Sequence, residues 1–230
     1  MTRTLLTLVL AATALTAACG DDDDNTGPDG EARARVVHAS PDAPNVDVLV
    51  DDAAVLSDVP YLAASDYLEL SAGEHNFKVN AAGTATTVID ADVDLTDGTD
   101  YTVIASGLAA SIAPIVLEDD NSAPAAGNVK VRAIHGAPSA PAVDIYVTAP
   151  GADLTDETPA LSGVDFGDVS DYIEAPAGDY QVRVTPTGVK VVVIDSGTLS
   201  LASGQVRTAI AVDAAGGGGP FDLLVLADLN

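Results

Sequence analysis

Residues 46–51 read Val-Asp-Val-Leu-Val-Asp, with Val46, Val48 and Val50 on one parity and Asp47, Leu49 and Asp51 on the other. A period of two marks a strand that turns one face to a core. The alternation returns at 67–71, where Leu68 and Leu70 separate Tyr67, Glu69 and Ser71. A further strand at 75–79 follows across Ala72-Gly73-Glu74, which predicts a hairpin. Residues 86–95 and 101–105 flank Thr96-Asp97-Gly98-Thr99, a second hairpin signal. Runs at 115–117 and 221–226 supply further strands. No segment sustains a 3.6-residue period, and the Ala-rich stretch 106–113 is interrupted by Gly and Pro. The pattern predicts an all-β chain.

The pattern also occurs twice. Residues 35–50 read RVVHASPDAPNVDVLV and residues 132–147 read RAIHGAPSAPAVDIYV; at an offset of 97, eight of sixteen positions are identical, among them Arg35/Arg132, His38/His135 and Asp47/Asp144. Further along, SDYLELSAGEHNFKV (65–79) aligns with SDYIEAPAGDYQVRV (170–184) at an offset of 105, and TTVID (86–90) with VVVID (191–195). Matches of this length in the same order mark an internal duplication. About seven short strands per copy, with turns every 8–12 residues, predict a β-sandwich for each.

The ends of the chain's organisation follow from composition. Residues 1–18 carry Arg3 and then an uncharged, mostly apolar run of fourteen residues, too short to span a bilayer, which takes about 20. This reads as a secretory signal. Thr16-Ala17-Ala18-Cys19 resembles the bacterial lipoprotein signal, with Thr16 where that pattern usually has Leu; the resemblance implies cleavage before Cys19 and lipidation of its thiol. Residues 19–33 include four consecutive aspartates with Gly and Pro, which predicts a solvated, disordered acidic tether. The expected division is therefore a signal peptide at 1–18, lipidated Cys19 and tether at 19–33, a first sandwich at 34–118, a polar linker at 119–128 and a second sandwich at 129–230.

His-Ala-Ser-Pro-Asp-Ala-Pro followed by Val-Asp-Val (38–48), then Ser-Asp-Tyr-Leu-Glu-Leu (65–70) and Val-Ile-Asp (88–90), is similar to the family named domain of unknown function 4397. The resemblance covers nearly all of residues 34–230 as two copies. It implies two tandem immunoglobulin-like antiparallel β-sandwich domains of extracytoplasmic location, and carries over no catalytic residue. The second copy departs with Gly136-Ala137 for Ala39-Ser40 and Ser139 for Asp42.

Charge and chemistry narrow the function. Nine Lys+Arg against 35 Asp+Glu give a formal net charge of −26, which excludes a phosphate-tracking nucleic-acid binder. One Cys excludes an intrachain disulfide and a Cys-cluster metal site. His38 with Asp47, and His135 with Asp144, are the candidate pairs: each His ends a strand before a Pro-x-x-Pro loop and each Asp opens the next. Pairing of those strands would join imidazole to carboxylate, either as a bond that pins the loop or as an acid–base couple. Asp90, Asp92 and Asp94 lack the Gly and Glu of a helix-loop-helix calcium site and read as a solvated strand face. Tyr67 and Tyr172 read as core or corner residues, Tyr61 and Tyr146 as candidates for exposure, and the Gly216–Gly219 run as a flexible loop. No catalytic residue, metal site or cofactor is assigned. The resulting expectation is a non-enzymatic cell-envelope lipoprotein at the outer membrane or cell surface. Its modules would serve binding, adhesion or surface structure, held to the membrane by the lipid, with a protein or glycan as ligand. The alternatives are an envelope hydrolase or metal-dependent enzyme using the His/Asp pairs, and a calcium-dependent glycan or peptide binder.

Overall fold

The computed structural model describes residues 30–229; residues 1–29, including the signal, Cys19 and most of the tether, lie outside them. The described residues form sixteen strands. In the first repeat they are β1 (Glu31–Ala39), β2 (Val46–Val50), β3 (Ala53–Val59), β4 (Leu68–Ser71), β5 (Gly73–Ala81), β6 (Thr87–Leu95), β7 (Asp100–Ser106) and β8 (Ala113–Asp119). The second repeat runs through β9 (Asn128–His135), β10 (Val143–Thr148), β11 (Leu161–Val164), β12 (Ile173–Pro176), β13 (Gly178–Pro186), β14 (Ile194–Leu201), β15 (Val206–Val212) and β16 (Asp222–Leu229). The sheets are β4-β1-β7-β8 with β3-β2-β5-β6, and β12-β9-β15-β16 with β11-β10-β13-β14. The chain is thus two tandem β-sandwiches of identical strand order. All pairings are antiparallel except β1·β7 and β9·β15, which are parallel.

Each repeat has eight strands where the sequence pattern indicates seven. The strand not read from the pattern in the first copy is β3. It follows a tight turn in which Asp51 and Asp52 both take positive φ (51° and 63°), and it is an edge strand with mostly exposed or half-buried residues. An Asp-Asp turn without Gly is a weak hairpin signal, and Ala-Ala-Val-Leu-Ser-Asp-Val has no clean alternation. At the N-terminal end, β1 begins at Glu31, so residues 31–33 are strand rather than tether, and Arg33 pairs with Asp100 at 2.6 Å. Asp119, at the expected start of the linker, is the buried last residue of β8.

The strands nearest the middle of the molecule are buried on both faces. In β1, Ala32 and Ala34 point into a cluster with Val50, Phe77, Val93, Leu95, Tyr101 and Val103 of their own repeat. The opposite parity, Val37 and Ala39, joins Ile104 in a cluster with Ile134, Ile210, Val212 and Leu226 of the second repeat. The four sheets therefore stack as outer, inner, inner, outer. This two-sided burial is why β7 is buried at every residue.

At the centre of the inner–inner contact lies a nearly twofold set of ionic bonds. Arg35 of β1 reaches into the second repeat: Nη2 donates to Asp228 Oδ1 (2.5 Å), Nη1 to the Ala227 carbonyl (3.1 Å), and Nε stays with Thr102 of its own repeat (2.8 Å). Arg132 of β9 mirrors it. Nη2 donates to Asp119 Oδ1 (2.5 Å), Nη1 to the Glu118 carbonyl (3.0 Å) and Nε to Thr208 (3.2 Å). The other oxygen of Asp119 accepts from Tyr67 (2.7 Å) and Thr102 (2.5 Å), and that of Asp228 from Tyr172 (3.0 Å) and Thr208 (2.6 Å). Tyr67 and Tyr172 also lie against the Arg35 and Arg132 guanidiniums, at 5.1 and 4.6 Å from their ring centroids. Burial pushes both phenols well above their ordinary pKa; for Tyr67 the bond to Asp119 adds to that, and for Tyr172 the charge of Asp228 does. The two carboxylates have all their inward positions filled, so four buried charges are accommodated with partners.

The second repeat closes on the first at the loops as well. Gly216 donates to the Pro41 carbonyl (2.7 Å) and Tyr61 to the Asp213 carbonyl (2.7 Å). The glycine run is thus part of the inter-repeat contact rather than a free loop. Gly136, where the first copy has Ala39, packs against β15: a Cβ there would stand 2.7 Å from Ile210 Cγ2 and 3.1 Å from the Ala211 carbonyl oxygen. Gly136→Ala is expected to cost about 1–3 kcal/mol by overpacking. A urea midpoint unchanged from the wild type would contradict that packing.

Candidate functional site

The two His-containing loops come first, because they carry the strongest sequence signal. β1 and β2 lie in different sheets, so the Pro-x-x-Pro segment is a crossover between sheets and not a hairpin. His38, fully buried, directs Nε2 to the Pro44 carbonyl (3.1 Å) while Nδ1 accepts from the Ser40 N–H (3.4 Å). His135 repeats this with the Pro141 carbonyl (3.1 Å) and the Ala137 N–H (3.4 Å). Each imidazole spans its own loop. Tyr61 and Phe166 cover the two rings edge-on at 6.0 and 6.4 Å. Burial lowers the His38 pKa, partly offset by the Pro44 bond.

The carboxylates expected beside these rings are elsewhere. Asp47 accepts from the N–H groups of Asp58 (2.8 Å) and Gly83 (2.9 Å). Asp144 accepts from Gly188 (2.9 Å), Gly163 (2.9 Å) and the Ser162 hydroxyl (2.8 Å). These backbone bonds hold both carboxyls below the ordinary range. Each Asp ties the kink in a neighbouring edge strand to the turn between β5 and β6, or β13 and β14. His38 and Asp47, and likewise His135 and Asp144, are engaged separately, and the arrangement assembles no acid–base couple. Tyr61 and Tyr146 are not platforms either: Tyr61 is bound to Asp213, and Tyr146 is buried with Lys190 5.8 Å from its ring centroid. Asp90, Asp92 and Asp94 are exposed on β6, where Asn76 Nδ2 bridges Asp90 and Asp92 at 2.8 Å each.

A three-residue set absent from the sequence reading joins the two sheets of the first repeat: Ser71 ends β4 of the inner sheet, His75 lies on β5 of the outer sheet and Asp51 in the turn between β2 and β3. His75 Nδ1 is 2.6 Å from Asp51 Oδ2, and Nε2 is 3.2 Å from Ser71 Oγ. That is the order of a hydrolytic triad. Nε2, however, lies only 2.8 Å from the Ser71 carbonyl oxygen, an acceptor, so it carries a proton and offers no lone pair to the hydroxyl. The second repeat has Tyr180 in the same place, donating to the Pro176 carbonyl at 2.6 Å. The conserved element between the copies is a side chain bonded to the carbonyl four residues back. Burial opposes the charge on His75. The Asp51 bond, the Ser71 carbonyl and the Asp51 charge together outweigh it and raise the pKa above its usual value. A raised folded-state pKa stabilises fully below the unfolded value of about 6.5, and that gain is lost as pH rises through the folded value. His75→Tyr is therefore expected to flatten the fall in melting temperature above pH 6.5. Parallel wild-type and variant profiles would contradict a charged His75; the opposing His38 titration cancels in the comparison.

A concavity lies in the second repeat, between its inner and outer sheets. A cleft of about 160 Å³ is lined almost wholly by apolar side chains, including Val129, Val131, Val182, Leu199 and Ala209. Its position has a direct counterpart. The eight residues of the first repeat's core cluster map, strand by strand, onto cleft-lining residues: Ala32 onto Val129, Ala34 onto Val131, Val50 onto Val147, Phe77 onto Val182, Val93 onto Leu199, Leu95 onto Leu201, Tyr101 onto Arg207 and Val103 onto Ala209. Three positions gain carbon, where Ala32, Ala34 and Val93 become Val129, Val131 and Leu199, and three lose apolar carbon, where Phe77 and Tyr101 give up their rings and Val103 its methyls; in apolar carbon the loss is larger. The openings in the first repeat are smaller, about 10 Å³ between the sheets and about 30 Å³ at the end of the sandwich beside Pro44 and Val46. Val50 is 5% exposed, and its counterpart Val147 is 47% exposed; Ile173 and Val225 at the rim are exposed too. By the cavity relation of about 24 cal/mol per Å³, leaving this volume unfilled forfeits at most about 4 kcal/mol.

A family model described as domain of unknown function (DUF4397) matches residues 32–146 and again 147–230. The division between the matches falls inside β10, whereas the sheets divide between β8 and β9. No curated protein matches the chain. Two solved structures are similar to it over most of its length. One was solved in work on α-glucan binding by a streptococcal virulence factor (12% identity, 79% of this chain and 92% of that one, TM-score 0.25). The other is the CBMbc module, of family CBM26, from Eubacterium rectale Amy13K in complex with maltoheptaose (11% identity, 87% and 98%, TM-score 0.23). Overlap at these TM-scores transfers no ligand.

Proposed function

The chain belongs to the family described as domain of unknown function DUF4397, and on that premise we propose that it is a non-enzymatic, extracytoplasmic binding protein. In this reading Cys19 is lipidated and holds a rigid pair of sandwiches at the outer membrane or cell surface. The first sandwich and the inter-repeat contact serve as scaffold, and the second sandwich binds the ligand.

The observation that carries the reading is the divergence of the two cores. Duplication starts both copies from one packing solution. One copy keeps a filled core, while the other replaces Phe77, Tyr101 and Val103 with Val182, Arg207 and Ala209 and opens a mouth to solvent. A loss of burial of this size, confined to one copy and continuous with an exposed apolar rim, fits a binding cleft better than a structural need. The hydrolase reading lacks such support, because His38 and His135 are occupied by their own loops.

Two measurements test the two halves. Labelled palmitate should enter the wild-type protein and not Cys19→Ala; label retained in the variant overturns the anchor. A fluorescent apolar probe should bind the soluble pair at one site and be blocked by Val182→Phe. Binding unaffected by that substitution overturns the cleft as the binding site.

A further inference from the structure

We propose that the cleft of the second repeat is filled by a hydrocarbon chain of the same molecule, an acyl chain carried on Cys19. This rests on the cleft being the binding site and on Cys19 being the anchor, and it names the occupant.

The lining sets the chemistry. Its walls are largely aliphatic, and the polar side chains among the lining residues are already engaged. Ser170 Oγ accepts from the Ala133 N–H (2.9 Å) and donates to the Asp171 carbonyl (2.8 Å). Tyr180 donates to the Pro176 carbonyl (2.6 Å), and Arg207 donates through Nη1 to the Val206 carbonyl (2.9 Å) and has further interactions. A sugar hydroxyl or a peptide amide entering here would shed water without gaining a bond, whereas a hydrocarbon gives up no bond at all. An apolar cavity of about 150 Å³ takes a molecule such as benzene, so about 160 Å³ holds a short length of chain. The exposed rim of Val147 and Ile173 continues the apolar surface for the rest.

Position sets the source. One half of the second sandwich is closed by Val143, Ile145, Val184, Ile194 and Ala211. The cleft occupies the other half, where β9 begins and β10 and β14 end. β1 begins at that same end. Arg35, its fifth residue, bonds Ala227 and Asp228, and Ala227 pairs with Arg207, which pairs in turn with Val131 near the start of β9. Val37 and Ala39, further along β1, pack instead with Ile134, Ile210 and Val212. Gly30, just before β1, therefore lies at the end where the cleft opens. Face-to-face sheets stand about 10 Å apart, which puts the cleft roughly 15–20 Å away across the second inner sheet. Cys19 lies eleven positions before Gly30, and a chain of that length spans at most about 40 Å. The reach covers the distance. A ligand on so short a connection meets its site at an effective concentration of order millimolar, an advantage that a free lipid lacks.

The test feeds a diazirine-bearing palmitate to cells that make the full-length protein. Light joins the label to its neighbours, and peptide mass spectrometry reads the positions. Cross-links from Cys19 are expected on the peptides that hold Val129, Val182 and Leu199, at least about tenfold more often than on those that hold Ala32, Phe77 and Val93. Val182→Phe, and separately Ala209→Val, should bring them down to the level of the first repeat with the label on Cys19 unchanged. In Cys19→Ala the cleft should carry no label. Cross-links no denser in the cleft than in the first repeat, or unchanged in both filling variants, overturn the occupant and leave cleft and anchor standing. Label in the cleft of Cys19→Ala also overturns it and makes a membrane lipid the ligand. A wild type without label on Cys19 overturns the anchor, and a soluble pair that binds no apolar probe overturns the cleft; either result removes this proposal as well.

Discussion

Arg132→Ala should destabilise the protein by about 3–5 kcal/mol, a large share of the 5–15 kcal/mol that holds most domains folded. The reason is the company Asp119 would keep. Its side chain is fully buried, and Arg132 supplies the 2.5 Å bond to Oδ1; the other guanidinium nearby, Arg35, has its Nη2 3.9 Å from Oδ2 and bonded to Asp228. Removing Arg132 strands a carboxylate and the Glu118 carbonyl in the contact between repeats. The mirrored change, Arg35→Ala, should cost a similar amount by stranding Asp228. A paired replacement, Arg132→Met with Asp119→Leu, removes both charges together and should recover most of the loss. Urea unfolding of the four proteins measures this. A cost under about 1 kcal/mol for Arg132→Ala would mean that the pair is effectively solvated and that the repeats are not locked through it.

The second large effect has the opposite sign. Val182→Phe with Ala209→Val restores to the second repeat two of the core residues of the first, and should raise stability by about 2 kcal/mol, near the value of burying one large apolar side chain. Open volume is already present, so the substitutions need not displace neighbours. The same pair should abolish binding in the cleft, giving a stability gain coupled to a loss of function. A destabilised double variant would show that the sheets of the second sandwich cannot accept the first copy's packing.

The duplication and the all-β character were legible because they are local. Alternation at 46–51 and 67–71 needs no knowledge of what packs where, and a constant offset ties Arg35 to Arg132 and His38 to His135. The His–Asp pairing failed at one topological step. Nine residues separate His38 from Asp47, which suits a hairpin, but the Pro-rich segment crosses between sheets, and the imidazole closes on Pro44 instead. The inter-repeat lock was invisible for a different reason. Arg35 and Asp228 are 193 positions apart, and two-sided burial of β1 and β7 erases the alternation that would have exposed a second interface. The cleft left a readable trace: aligning the two copies pairs Phe77 with Val182. Its meaning depends on knowing that eight such positions converge on one volume between sheets.

In the proposed reading, one copy of a duplicated sandwich has stayed closed while the other has opened for a ligand. Methyl NMR under xenon pressure tests it directly, since xenon enters apolar cavities of this size. Shifts are expected at Val129, Val131, Val182, Leu199 and Ala209, with the matching positions Ala32, Ala34, Val93 and Val103 unmoved. Equal shifts in both repeats, or none in the second, would contradict it.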